Sequence, residues 1–271
     1  MQSLNDQLLA SVISIAKQAG GMLRAFYQQD LPEQIKADNT PVTAADLAVS
    51  EFLCAALSRL TPDVPVLSEE NCDIPFAKRR AWAQYWLVDP LDGTQQFLDK
   101  TGQFSVLIAL VQHNQPRLGV VYSPISDQVV YAMENAGAYR LCGDVLTALS
   151  PRPLSAGQKV RLVIGNTSDV ARLQPYLQPN AKVEIQRCGS SGIKGVMVAT
   201  GESECYMRVG KTGEWDTAAL ECILREMGGD ICDLRGQALS YNQRESLINP
   251  DFVMRCSASS DWRAVLRFAA D

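Results

Sequence analysis

Tyr85 to Thr94 reads YWLVDPLDGT, an apolar run that ends in two carboxylates, Asp89 and Asp92, on either side of Pro90-Leu91 and followed by Gly93-Thr94. A strand needs no acids at its end. A turn needs one Asp or Gly, not two acids around a residue that has no N–H to donate. Pro90 removes that donor and stiffens the turn, so Asp89, the Leu91 carbonyl and Asp92 can face one point. Gly93 and Thr94 then offer backbone N–H groups and a hydroxyl, the parts needed to hold phosphate oxygens. The stretch reads as one half of a magnesium cage, with the remaining ligands far away in sequence.

Upstream, VPVLSEEN (64–71) reads as a short buried strand running into Glu69-Glu70. Downstream, FSVLIALVQ (104–112), RLGVVYSP (117–124) and VVYAMEN (129–135) follow one another, with turn signals at Asn114-Gln115-Pro116 and from Pro124 to Asp127. Consecutive strands joined by short turns imply an antiparallel sheet. At the N-terminus, Leu4, Leu8, Val12, Ala16, Ala19 and Leu23 recur at helical steps, which predicts an amphipathic helix packed on the core rather than on a membrane surface. A second helix is expected after Thr43, with Asp46 completing its cap and Leu47, Phe52, Leu53, Ala56 and Leu60 along it. A Pro- and Ser-rich stretch, Leu149 to Lys159, divides the chain into halves 1–150 and 151–271. In the second half strands and helices alternate. Strands are expected at 160–165, 182–188 and 204–209, and helices at 168–177, 192–201, 216–229 and 260–271.

Composition narrows the chemistry. A net charge of −5 argues against a nucleic-acid polymer as partner. The eight cysteines include no C-x-x-C pair, so they read as reduced, mostly buried thiols of a cytoplasmic protein. The single histidine, His113, sits in a strand exit, which makes a Ser-His-Asp hydrolase improbable. No basic, apolar leader opens the chain, and no apolar run approaches the ~18 residues of a spanning helix.

Acids stand at element boundaries in separate segments: Glu69-Glu70, Asp89 with Asp92, Asp216, and Asp38 with Asp46. Singly each has an ordinary structural explanation, a helix cap for Asp216 or a turn for Asp92-Gly93. Converging, they would repel by about 4 kcal/mol per pair at roughly 4 Å and an effective dielectric of about 20, so cations must neutralise them or their pKa values must rise. Oxygen ligands without Cys or His select Mg²⁺ over zinc, and such sites serve phosphoryl chemistry. Rival motifs fail on spacing: two residues rather than one separate the acids of 89–92, and GKT at 210–212 lacks the Walker glycine, with Cys205 in its place.

LVDPLDGT, the upstream SEE and the downstream EWDTAA together resemble the inositol-monophosphatase-like, lithium-sensitive phosphatases. KADNTPVTAAD, PDVPVLSEE, GVVYSP and LSYNQRESLINP resemble the 3′(2′),5′-bisphosphate nucleotidase branch, the CysQ type, along nearly the whole chain. The resemblance implies an α+β fold, a layered αβαβα sandwich, and removal of the 3′-phosphate of adenosine 3′,5′-bisphosphate, a by-product of sulfate activation. It implies two or three Mg²⁺ ions per site, one held by Glu69, Asp89 and the Leu91 carbonyl and another by Asp89, Asp92 and Asp216. Thr94, with Glu69 or Asp38, would orient the attacking water. Glu69, Leu91, Asp92, Gly93, Thr94 and Asp216 would contact the substrate, as would Gly189, Ser190 and Lys194 from RCGSSGIKG, where a helix start offers an anion site. The branch often reads DGTKEF, whereas this chain has Gln95-Gln96-Phe97, which bears on substrate preference. The expected partner is a small nucleotide bisphosphate, and the expected assembly a monomer or homodimer. An inositol- or sugar-phosphate phosphatase is the enzymatic alternative, and a non-catalytic metal-binding regulator the other.

Overall fold

The computed structural model describes residues 1–29, 34–35 and 41–268. Helix α1 (Asp6–Tyr27) starts where the Asn5 side chain accepts from the Leu8 N–H at 2.8 Å, and it buries a stripe from Leu8 to Leu23. After the short antiparallel pair β1 (Gln34–Ile35) and β2 (Pro41–Val42) comes α2 (Ala44–Leu60). Its capping box is the expected one: the Thr43 oxygen accepts from the Ala45 N–H, and Asp46 accepts the Thr43 N–H at 2.7 Å. The buried stripe is Ala45, Val49, Leu53, Ala56 and Leu57, whereas Leu47 is half exposed. The apolar face of α2 is therefore rotated from the one expected.

A seven-stranded sheet forms in chain order from β3 (Val66–Ser68), β4 (Gln84–Asp92), β5 (Ser105–Gln112), β6 (Gln115–Ser123), β7 (Gln128–Met133), β8 (Gly137–Cys142) and β9 (Val145–Ala148). Strand β3 pairs with β4 in parallel and all other neighbours are antiparallel. Between β3 and β4 lies the four-residue helix α3 (Phe76–Arg79), and after β4 the five-residue α4 (Thr94–Leu98). A second sheet, in the order β11-β10-β12-β14-β13, uses β10 (Val160–Ile164), β11 (Val183–Arg187), β12 (Cys205–Arg208), β13 (Asp230–Asp233) and β14 (Phe252–Arg255). Helices α5 (Ser191–Thr200) and α6 (Ala218–Met227) lie between the sheets, α6 on β6 and β7, α5 on β12 and β10. Helices α1 and α2 cover the other face of the first sheet, through β5 and β6 for α1 and through β4 for α2. This is an α+β layered sandwich.

Two expected helices are absent. Residues 168–177 form only 3-10 turns, Val170–Arg172 and Gln174–Tyr176, because Pro175 cannot donate to an α-helical ladder. Within 260–268 only Trp262–Ala264 is helical, again 3-10. The backbone there turns to bond with the first of these segments, Gln178 N–H to the Val265 carbonyl and Arg267 N–H to that of Tyr176. Strands β8, β9, β13 and β14 were not expected. They are short, and β9 is exposed at every residue. All eight cysteines are free thiols, five of them buried. Among the described residues no helix is long and apolar enough to cross a membrane.

The two sheets approach through Gly119 on β6, where a Cβ would lie 2.3 Å from the Ala219 carbonyl oxygen of α6. Because α6 starts two residues after Asp216, this contact helps set how close Asp216 comes to β4. Gly119→Ala should destabilise the protein by roughly 1–3 kcal/mol through overpacking, read as a lower denaturation midpoint at unchanged slope.

Candidate active site

Strand β4 carries the two acids of the DPLD stretch, and its ladder with β5 slips there. Asp89 faces Leu107 while Asp92 faces Ser105, so three steps on β4 match two on β5. In a regular strand residues three apart point to opposite faces. The bulge at Pro90-Leu91 re-aims one of them, and Asp89, Asp92 and Asp216 each bring one carboxylate oxygen within 4.8 Å of those of the other two. Gly93 leaves the bulge at φ +98, a conformation that favours glycine, and a Cβ there would stand 2.7 Å from the Gln103 carbonyl oxygen.

Each acid is anchored differently. Asp92 accepts the Ser191 N–H at 2.9 Å and the Gly192 N–H at 2.7 Å, both from the first turn of α5, with the hydroxyls of Ser105 at 3.0 Å and of Ser190. The anion site expected at this helix start is therefore occupied by the protein's own carboxylate. Asp89 is 2% exposed and accepts the Leu91 N–H at 3.1 Å. Asp216 ends the 3-10 turn Glu214–Asp216 and accepts the Gly213 N–H at 2.6 Å.

The electrostatics follow from this crowding. Burial, then the negative charges of Glu69, Asp92 and Asp216, pushes the Asp89 carboxyl well above the usual carboxylate range. Burial, then Asp92 and Glu69, raises Asp216 to about 7. A set of hard oxygen donors that resists ionisation without a counter-charge fits a divalent cation of the magnesium type. Asp89, Asp92 and Asp216 would hold it. Glu69, half-buried on the same cavity and held by its N–H to the Val88 carbonyl, lies outside the tight triad but within its electrostatic reach.

The cavity over these acids measures about 370 Å³ and is lined by Glu69, Asp89, Leu91, Asp92, Gly93, Thr94, Gly189, Ser190, Lys194 and Asp216, so the structure gathers every expected site residue except Asp38, which lies outside the described residues. The Thr94 hydroxyl lies 2.9 Å from Asp46 Oδ1 and 3.3 Å from the Leu91 carbonyl oxygen. Asp46, expected as the capping partner of Thr43 and counted with Asp38 among the acids at element boundaries, aims Thr94. The signal for this lay in its capping box, which holds one carboxylate oxygen and leaves the other for Thr94. Lys194 is 3% exposed, and its ammonium donates to the Ser190 carbonyl at 2.6 Å and sits 5.0 Å from the centre of the Tyr206 ring. Burial lowers its pKa to about 8. It braces the turn at Ser190, whose φ of 58 is unusual for a residue with a side chain. Ser105 and Gln103 were not anticipated. Gln103 accepts the Gly189 N–H at 2.7 Å, a contact that sequence spacing could not reveal. Gln96 packs its side chain against Gly189, and Gln95 donates to Asp99 on the exposed side of α4. His113 is exposed in a hairpin turn outside the cavity.

Comparison with known proteins agrees with this geometry. The chain is 49% identical over 262 residues, 97% of either chain, to the protein named 3′(2′),5′-bisphosphate nucleotidase CysQ of Aggregatibacter actinomycetemcomitans. It is 40% identical to the protein of the same name from Escherichia coli K12, over 90% of this chain and 98% of that one. The crystal structure of CysQ from Bacteroides thetaiotaomicron, described as a bacterial member of the inositol monophosphatase family, superposes with a TM-score of 0.74 at 32% identity, covering 93% of this chain and 97% of that one. With the inositol monophosphatase family profile matching residues 4–263 as well, the chain belongs to that family.

Proposed function

We propose that the protein is a Mg²⁺-dependent phosphatase that hydrolyses the 3′-phosphate of adenosine 3′,5′-bisphosphate to AMP and phosphate. The observation that carries the chemistry is the convergence of Asp89, Asp92 and Asp216 within 4.8 Å on a cavity of about 370 Å³. That volume falls in the range of small-molecule sites. The nucleotide is suggested by the relatives' names and by Arg208 and Lys211 on the cavity wall, two cations suited to a second phosphate. Cytoplasmic action on a small molecule accords with the free thiols and the acidic balance.

Asp89, Asp92, Asp216, Glu69 and the Leu91 carbonyl would hold two or three Mg²⁺ ions. Those ions would supply charge neutralisation, water acidification and stabilisation of the leaving ribose 3′-oxygen. The protein's own part is positioning. Thr94, its hydroxyl proton engaged by Asp46, turns its oxygen lone pairs to the attacking water. Glu69 faces the same cavity and accepts a proton from that water. Gly93 contributes its N–H to a phosphate oxygen, while Gly189, Ser190 and Lys194 wall the nucleotide side. Water adds at phosphorus with its proton passing to Glu69, the P–O3′ bond breaks, and the 3′-oxygen takes a proton from solvent water and leaves as a hydroxyl while Glu69 releases its proton to solvent.

Two measurements test this reading. Phosphate release from adenosine 3′,5′-bisphosphate should exceed that from inositol 1-phosphate with Mg²⁺ and vanish in EDTA. A preference for the inositol ester would move the protein to the sister activity, and release in EDTA would defeat the metal assignment. Asp89→Asn should lower kcat by at least about 10²-fold. Its melting temperature in EDTA at pH 8 should match or exceed that of the wild type, because the substitution removes a crowded charge. A variant that keeps near-normal turnover would show that Asp89 is no ligand.

A further inference from the structure

Arg79 lines no part of the cavity, yet it is 2% exposed and is the one fully buried guanidinium in the described core. Buried charges require partners, and those of Arg79 come from a segment more than 160 residues away. Its guanidinium donates to Asn242 Oδ1 at 2.6 Å, to the Arg244 carbonyl at 2.9 Å and to the Glu245 carbonyl, and stacks 4.9 Å from the centre of the Phe76 ring. The Asn242 amide returns a bond to the Arg79 carbonyl at 2.6 Å. Side chain and backbone of Arg79 thus grip the same residue.

The gripped loop is the mould of the Asp216 turn. Asn242, at φ 54, donates its N–H to Glu214 Oε2 at 2.8 Å, and Arg244 pairs with Glu214 Oε1 at 3.5 Å. The Glu214 N–H bonds to the Leu247 carbonyl, and Asn249 donates to the Gly213 carbonyl at 2.6 Å and to the Thr217 hydroxyl at 3.1 Å. Gly213, Glu214 and Thr217, which flank Asp216, are all held by 242–249, while Arg79 lies ten residues after Glu69 on the connection leaving β3. We propose that Arg79, through Asn242, is a positioning residue that locks the Asp216 turn to the Glu69 segment and so sets the geometry in which the acids receive a cation. This rests on the cation reading above.

Calorimetric titration of Mg²⁺ into the metal-free chain tests the proposal without catalysis. Asn242→Gly tolerates the positive φ and retains the N–H to Glu214 but loses both side-chain bonds to Arg79. Arg79→Lys keeps the charge and loses the planar fork. Both should raise the Mg²⁺ dissociation constant by on the order of tenfold, and kcat should return to the wild-type value at saturating Mg²⁺. The double variant should cost less than the product of the two effects, since both break one linkage. Wild-type Mg²⁺ affinity in both variants, even with a lower melting temperature in EDTA, would overturn the proposal by reducing the clamp to a stability role. A wild-type protein that binds no Mg²⁺ would instead defeat the cation reading itself.

Discussion

Mutual repulsion among three carboxylates is the constraint on which this structure turns. Asp89, Asp92 and Asp216 bring oxygens within 4.8 Å in a buried setting, where each charged pair costs about 4 kcal/mol at roughly 4 Å and an effective dielectric of about 20. The fold opposes that cost in parts. Asp92 is drawn to the start of α5 by two backbone N–H groups and two hydroxyls, favourable to a negative charge. Asp216 is fixed by the short turn ahead of α6. Asp89 has a single backbone donor, so its charge is the least compensated of the three. The layering serves this arrangement, because both central helices start at the acids, α5 at Asp92 and α6 just after Asp216.

How much of this was legible from the amino acids depended on whether the signal was local. Pro90 marked a local interruption of the ladder, since it has no N–H to donate, but a turn was expected after Asp89, where β4 in fact runs on to Asp92 through a bulge. The capping box at Thr43 was legible locally, and the serial apolar runs from 104 to 135 announced an antiparallel sheet. Strand β9 carried no such signal: its side chains are all exposed, so no period-two pattern marks it. Strands β13 and β14 are four residues each and exist through pairing with each other and with β12. Residues 265–267 have helical spacing but bond instead to 176–178, a tertiary contact that overrides local preference.

At the site, the acids that gather were readable and their supports were not. Asp89, Asp92 and Asp216 stand at element boundaries where acids are conspicuous. That the start of α5 serves Asp92, rather than an incoming anion, follows from packing of Ser190 and Gly192 against β5. Lys194 looked like a cation for a ligand, but burial beside Tyr206 commits its ammonium to the Ser190 carbonyl. The clamp of Arg79 on Asn242 spans more than half the chain, beyond any periodicity. Such long-range polar contacts convert a common α+β scaffold into a site of fixed geometry.

The most direct test of the account is the pH dependence of the melting temperature, with EDTA and with millimolar Mg²⁺. Asp216 has its pKa raised to about 7 in the fold, and Asp89 is raised in the same direction, against about 3.9 in an unfolded chain. The folded state therefore holds more protons. Stability from these groups is present below the unfolded value and is lost as pH rises through the folded one. Glu214 and Glu221, also raised to about 7 by burial, add a loss that no cation at the cage would reverse. In EDTA the melting temperature should fall between pH 5 and 8, and Mg²⁺ should recover the part of that fall due to the three acids at pH 8 while changing little at pH 5. A melting curve indifferent to Mg²⁺ at pH 8 would contradict the claim that the three acids are a cation site.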